Sequence, residues 1–132
     1  MIFVDTSVWI DFFNGKNTPE VAALDAALGM ETVAIGDLIA LEILQGFKSD
    51  PDHRAAKQIL DSLIIYDLLG TKAVEGCADN YRTLRKKGIT IRKTADVIIA
   101  TFCIENNLPL LFADKDFMPF VEHLGLVQAV VS

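Results

Sequence analysis

Four short apolar runs, spaced widely along the chain, most constrain what it can fold into. They are Ile2–Val4, Thr32–Ile35, Ile64–Tyr66 and Leu110–Ala113. None alternates apolar with polar residues in the manner of a half-solvated strand, so each reads as a strand covered on both faces. The stretches between them carry helical spacing and helix-start signals. Strands that alternate with helices in this way pair in parallel, because a parallel connection needs a long crossover.

The helix signals are specific. Thr6–Phe13 places bulky residues at helical spacing. Thr18-Pro19-Glu20 combines a hydroxyl cap, a proline at the first position and an acid in the first turn, and that helix should end near Gly29. Asp37 is expected to cap a helix to Gly46. Asp50-Pro51-Asp52 repeats the cap, proline and acid, and opens a helix to about Leu63. Thr71 opens a helix that runs to Arg85-Lys86-Lys87, where Gly88 stops it. Thr94 caps another, which ends at Asn106-Asn107. A short helix covers Phe117–Leu124, and Leu126–Val131 is expected to close the sheet as an edge strand. The fold class is therefore α/β, a three-layer sandwich in which a short, mainly parallel central sheet is flanked by helices. No repeat or linker divides residues 1–132, so a single domain is expected.

Composition narrows the function. Twelve Lys and Arg against eighteen Asp and Glu leave a net charge of −6. A protein that coats nucleic acid by charge alone needs the opposite sign. A local basic track within an enzyme remains compatible. The hydrophobic share of 52% suggests a core wrapped on several sides, or apolar surface kept for a partner. Apolar stretches fall short of the roughly 20 residues of a membrane span. Met1-Ile2-Phe3-Val4 meets Asp5 with no basic region and no long apolar run, so no secretory signal is expected. Cys77 and Cys103 lack metal-ligand spacing and read as reduced core residues of a cytoplasmic protein. His53 and His123 lack it too. Nucleophile-elbow, P-loop and dinucleotide-binding motifs are absent from the sequence.

Four acids stand out from the solvated majority. Asp5 directly follows the first apolar run and Asp114 the last, which places both at the carboxyl edge of the sheet. Ligands of open α/β sheets bind at that edge. Asp96 lies in the first turn of a helix, on the face it shares with Ile99, Ala100 and Cys103. Glu42 is embedded among Leu38, Ile39, Leu41, Ile43 and Leu44. Each has a plain structural role open to it. Asp5 suits an Asx-type cap, Asp96 the helix dipole, Glu42 a buried Arg, and Asp114 an Asx turn. Together they suit a different role. Two unit charges 4 Å apart repel by about 4 kcal/mol at an effective dielectric of 20. A cluster of carboxylates is thus either partly protonated or held by a divalent cation. Oxygen-only ligands favour Mg²⁺ or Mn²⁺ over zinc.

Six of the twelve basic residues fall between Arg82 and Lys93, namely Arg82, Arg85, Lys86, Lys87, Arg92 and Lys93. A helix C-terminus accounts for Arg85, Lys86 and Lys87. Arg92 and Lys93 lie beyond Gly88 and lead straight to Asp96. Cations beside a carboxylate-metal site suit a phosphodiester backbone, which makes Arg85, Lys86, Lys87, Arg92 and Lys93 candidate phosphate contacts.

These motifs resemble those of PIN domains, specifically the VapC-type toxins. The opening strand ends in Asp5-Thr6-Ser7 followed by Val8-Trp9-Ile10. Glu42 stands within Leu41-Glu42-Ile43-Leu44-Gln45-Gly46. The run Ile91-Arg92-Lys93-Thr94-Ala95-Asp96-Val97-Ile98-Ile99-Ala100 is similar to the family's central acid motif, and Asp114-Lys115-Asp116-Phe117 to its final one. The resemblance implies a Mg²⁺-dependent endoribonuclease toxin (with Mn²⁺ as an alternative ion) that forms a homodimer and cuts a structured RNA such as a transfer or ribosomal RNA. It also implies a cognate VapB-type antitoxin. Carried onto this chain, Asp5, Glu42, Asp96 and Asp114 become the acidic quartet, with Asp5 and Asp96 as metal ligands. Ser7 orients Asp5 or the metal's water, and Asp116 can share or replace the role of Asp114. The chain departs from the family at Phe112, where a threonine is frequent, so any hydroxyl role there is missing.

Trp9, Phe12 and Phe13 are spaced for core or dimer packing, with base stacking as the other reading. An inhibitor groove is expected beside the helices of Thr6 and Glu42, with Trp9, Phe12 and Leu44 as apolar anchors. Two rival functions stay open. One is a magnesium-dependent, phosphoryl-accepting receiver-type domain, with Asp67 as its acceptor. The other is a catalytically silent PIN module that only binds a partner.

Overall fold

The protein is described by a computed structural model over residues 1–30 and 32–131. Strands β1 (Ile2–Val4), β2 (Val33–Gly36), β3 (Ile64–Tyr66) and β4 (Leu110–Leu111) form one sheet in the order β3-β2-β1-β4. Every pairing is parallel. The helices are α1 (Thr6–Phe13), α2 (Pro19–Met30), α3 (Asp37–Gly46), α4 (Asp50–Asp61), α5 (Gly70–Lys86), α6 (Thr94–Glu105) and α7 (Met118–Leu124). The α/β class and the parallel central sheet expected from the four apolar runs are both present.

Handedness assigns the layers. The chain steps from β1 to β2 to β3 in one direction across the sheet, then returns past both to β4. Right-handed crossovers put α1–α4 on one face and α5 and α6 on the other. The contacts follow this division, with α1 packed on α2 and α3, α3 on α4, and α5 on α6. The direction reverses between β1 and β4, so the crevice of the sheet opens beyond their carboxyl ends. Phe3, Val4, Ala34, Ile35, Leu110 and Leu111 line the centre of the core, with Trp9 from α1, Ile39 and Ile43 from α3, and Ile99 from α6. Each large side chain fully buried there contributes roughly 1.5–3 kcal/mol.

Several element ends differ from expectation. α3 is capped by Gly36, not Asp37. The Asp37 carboxylate instead accepts from the backbone N–H groups of Leu38 (2.8 Å) and Leu68 (3.2 Å). A side chain at Gly36 would collide with Leu68, which closes over this turn. α4 is capped by Ser49. α5 starts at Gly70, and α6 has Lys93 at its cap position, so Thr94 is helical and not the cap. Leu126–Val131 does not form a strand. It makes one parallel bridge, Leu110 to Gln128, because β4 offers only two residues to pair with.

Trp9 is fully buried, stacked on Phe13 at 5.9 Å and edge-on to Phe12 at 6.0 Å. The core reading of these aromatics holds, and Trp9 is removed as an anchor for an incoming segment. Cys77 and Cys103 are free and buried, as expected.

Candidate active site and metal centre

Each of the four singled-out acids is delivered by a different element. Asp5 leaves β1 and caps α1, and its Oδ2 accepts from the Ser7 hydroxyl (2.8 Å) and the Ser7 amide (3.3 Å). Capping and site-building coincide in this residue, and Ser7 orients it as anticipated. Glu42 comes from the middle of α3. It is half-buried, and it accepts from the Thr6 hydroxyl at 2.9 Å rather than from an Arg. Asp96 comes from the opposite helical layer in the first turn of α6. Asp114 follows β4 and caps the 3₁₀ turn Lys115–Phe117 by accepting from the Asp116 amide at 2.9 Å. Asp116 lies inside this turn. The turn starts at Lys115, which makes Asp114 the cap.

Asp5, Glu42, Asp96 and Asp114 line one cleft of about 180 Å³, together with Thr6, Ser7 and Lys93. Asp96, Asp114 and Asp116 form a tighter group whose carboxylate oxygens lie within 4.8 Å of one another. The two groups share Asp96 and Asp114, which mark the centre of the site. Asp116 stands at its rim, paired with Arg92 at 3.0 Å. Lys93 Nζ lies 4.0 Å from Asp114. Of the basic track, Arg92 and Lys93 thus reach the acids. Arg85 lies over the Tyr81 ring at 5.5 Å, and Lys86 and Lys87 are exposed at the end of α5.

Electrostatics mark the same centre. Burial, and then the Asp5 charge, push the Asp96 carboxyl up to about 7. Lys93 opposes the shift, while Asp114 and Asp116 add to it. Burial also raises Asp5. The Ser7 bonds and the Thr6 backbone work against that, and Glu42 reinforces it. Asp96 is 6% exposed, and its Oδ2 is buried with no hydrogen-bond partner among the described residues. A buried, unpaired carboxylate oxygen is costly unless something positive meets it. An all-oxygen donor set, crowded like charges and an orphaned oxygen aimed at no protein donor fit a hard divalent cation.

The sequence reading missed Thr6, whose only signal was a second hydroxyl beside a strand-end acid. The receiver-type rival loses its acceptor. Asp67 follows β3, an edge strand, and lines a separate depression with Asp37.

Carboxylates gathered at the switch point of a parallel sheet define a small α/β domain whose acid cluster suits a divalent cation. The sequence matches the PIN domain family over residues 2–119. It is 30% identical over 122 residues to ribonuclease VapC11 of Mycobacterium tuberculosis, covering 89% of each chain. Among solved structures, VapBC2 from Rickettsia felis, bound to a DNA fragment from its promoter, superposes with a TM-score of 0.72 at 22% identity over 98% of each chain. A toxin-antitoxin complex from Klebsiella pneumoniae superposes with a TM-score of 0.66 at 19% identity over the full length of both chains. The chain belongs to the PIN domain family, as one of its VapC-type ribonucleases.

Proposed function

We propose that this protein is a Mg²⁺-dependent endoribonuclease toxin that hydrolyses a structured RNA in the cytoplasm. The observation that carries the reading is the buried, unpartnered Oδ2 of Asp96 in a cleft shared with Asp5, Glu42 and Asp114. Asp5 and Asp96, with Asp114 beside them, would hold the ion. When bound, it supplies charge compensation at phosphorus and lowers the pKa of a water. Mn²⁺ suits the same donors.

The chain's own groups divide the remaining work. Glu42 stands apart from the Asp96–Asp114–Asp116 group and accepts the proton of the attacking water. Lys93, and Arg92 once released from Asp116, hold the phosphate on either side of the scissile bond. Arg85, Lys86 and Lys87 extend the track for the rest of the RNA. With the Ser7 hydroxyl engaged as a donor to Asp5 and no Cys or His among the described residues that line the cleft, attack by water in line leaves a 5′-phosphate and a 3′-hydroxyl. The complete set of four acids favours this reading over a silent PIN module.

The solved relative from Klebsiella pneumoniae is a toxin-antitoxin complex, which supports a VapB-type inhibitor here. With Trp9 buried, its apolar anchors fall to exposed residues beside the cleft, such as Ile10, which is 42% exposed. A basic side chain of the inhibitor takes the place of the cation. The toxin itself pairs as a homodimer.

The test is cleavage of transfer and ribosomal RNA with purified protein. Activity should appear with Mg²⁺ and vanish in excess EDTA. Asp5→Asn and Asp96→Asn should each lower it by at least about 100-fold (roughly 2.7 kcal/mol) while the proteins stay folded. Products ending in a 2′,3′-cyclic phosphate, or undiminished cleavage in EDTA, would reject the mechanism.

A further inference from the structure

Two adjacent hydroxyls at the start of α1 serve two different acids. Ser7 Oγ donates to Asp5 at 2.8 Å, and Thr6 Oγ1 donates to Glu42 Oε1 at 2.9 Å. The second bond spans 36 positions of sequence and joins α1 to α3 at the mouth of the cleft. Glu42 needs such an anchor. It is a long carboxylate on a helix whose neighbouring side chains are apolar, and it forms no ion pair among the described residues. Asp5 lines the same cleft and repels it. Repulsion alone would swing Glu42 outward to solvent, where a glutamate has several rotamers to choose from.

A neutral donor is well suited to prevent this. It adds no charge that competes with a cation, and a threonine in a helix has χ1 confined to two main rotamers, so its hydroxyl has few directions open to it. A Lys or Arg in the same place would hold Glu42 as firmly but would lower the cleft's negative potential.

We propose that Thr6 is a positioning residue whose hydroxyl holds the Glu42 carboxylate in the cleft against the repulsion of Asp5. The assignment rests on the proposed function for the consequence it has on catalysis. The bond itself and its effect on cation affinity do not depend on RNA being the substrate. A carboxylate held in the cleft strengthens cation binding even without direct ligation, because its charge acts at short range in a partly desolvated space.

The experiment is a double-mutant cycle between Thr6 and Glu42 with two readouts. Mn²⁺ affinity is measured by calorimetry, and kcat and KM are measured on RNA. Thr6→Val removes the hydroxyl at nearly constant shape, and Thr6→Ser keeps it. Thr6→Val is expected to weaken Mn²⁺ binding about threefold and to lower kcat about tenfold, with KM changed less than twofold and the thermal midpoint nearly unchanged. Thr6→Ser should restore both values to within about twofold of the parent. In a Glu42→Gln background, Thr6→Val should have no further effect on either readout. Additive effects, or a Thr6→Val protein equal to the parent in Mn²⁺ affinity and kcat, overturn the assignment. A parent protein that cleaves no RNA but shows the Thr6–Glu42 coupling in Mn²⁺ affinity overturns the proposed function and leaves the assignment standing.

Discussion

Burial and charge conflict at Asp96. Its carboxyl rises from an ordinary value of 3.8 to about 7 in the folded protein. Between those values the unfolded chain has released the proton and the folded chain retains it, so this group's contribution to stability falls as pH rises from about 4 to 7 and levels off above. The whole shift corresponds to a loss of at most roughly 4 kcal/mol. In EDTA, the stability of the parent relative to Asp96→Asn should therefore decline across that window, and saturating Mg²⁺ should recover it above pH 7. Melting curves of the two proteins from pH 4 to 8 decide this, and parallel profiles would contradict it. Asp114→Asn should weaken metal binding more than Asp116→Asn, because Asp114 faces the cleft while Asp116 is already engaged by Arg92. Titration calorimetry of both variants with Mg²⁺ separates them. The four acids were legible in the sequence because each sits where a carboxylate is expensive, at a strand end or on an apolar helix face. Thr6 was not, since its partner lies in another helix and a hydroxyl beside an acid is also what an ordinary helix start contains.

The turn between α5 and α6 sets where Arg92 and Lys93 stand relative to the acids. Gly88 adopts φ +85°, and the amides of Gly88 and Ile89 close back on the carbonyls of Arg85 and Leu84 at 2.9 Å each. This Schellman closure needs a residue that tolerates the left-handed region, and glycine supplies it. Ile91 then enters the core, 7% exposed, and leaves Arg92 and Lys93 outside, facing the acids. The stop at Gly88 and the basic cluster were legible from local chemistry. The pairing of Arg92 with Asp116 depends on how α6 meets the turn after β4, which no local signal encodes. Arg92 is the counter-ion of Asp116, and the proposed function gives it a second duty as a phosphate contact. Arg92→Ala should raise Mg²⁺ affinity by about twofold, in keeping with an exposed pair. The same change should lower RNA affinity and reduce the slope of log affinity against log salt by about one. Changes of the same sign in both affinities would show that Arg92 does not divide its role in this way.

At the scale of the whole molecule, the surplus of apolar residues has a location. Leu41, Leu69 and Val74 are 57%, 44% and 53% exposed. They line two adjoining depressions that share Leu69 and Ile98, formed by α3, α5, α6 and the segment between β3 and α5. Their lining includes none of Asp5, Glu42, Asp96 and Asp114. High hydrophobic content was legible in the sequence, but its placement was not. α3 carries apolar residues around most of its circumference, and only the packed structure shows which of them the core leaves uncovered. Contiguous apolar surface of this kind marks an interface in a folded protein. The proposed homodimer is expected to use it, because a pair joined there leaves both catalytic clefts open to RNA. A charged residue at the centre of such a seam has to be desolvated on both copies, and a stable pair of roughly 1,600 Å² cannot close over it. Leu69→Glu and Val74→Asp are therefore expected to convert dimer to monomer in sedimentation at micromolar concentration. The monomer should stay folded, since neither side chain belongs to the core, with the thermal midpoint lowered only by the stabilisation that pairing supplied. A parent protein that sediments as a monomer, or variants that remain dimeric, would place the contact elsewhere.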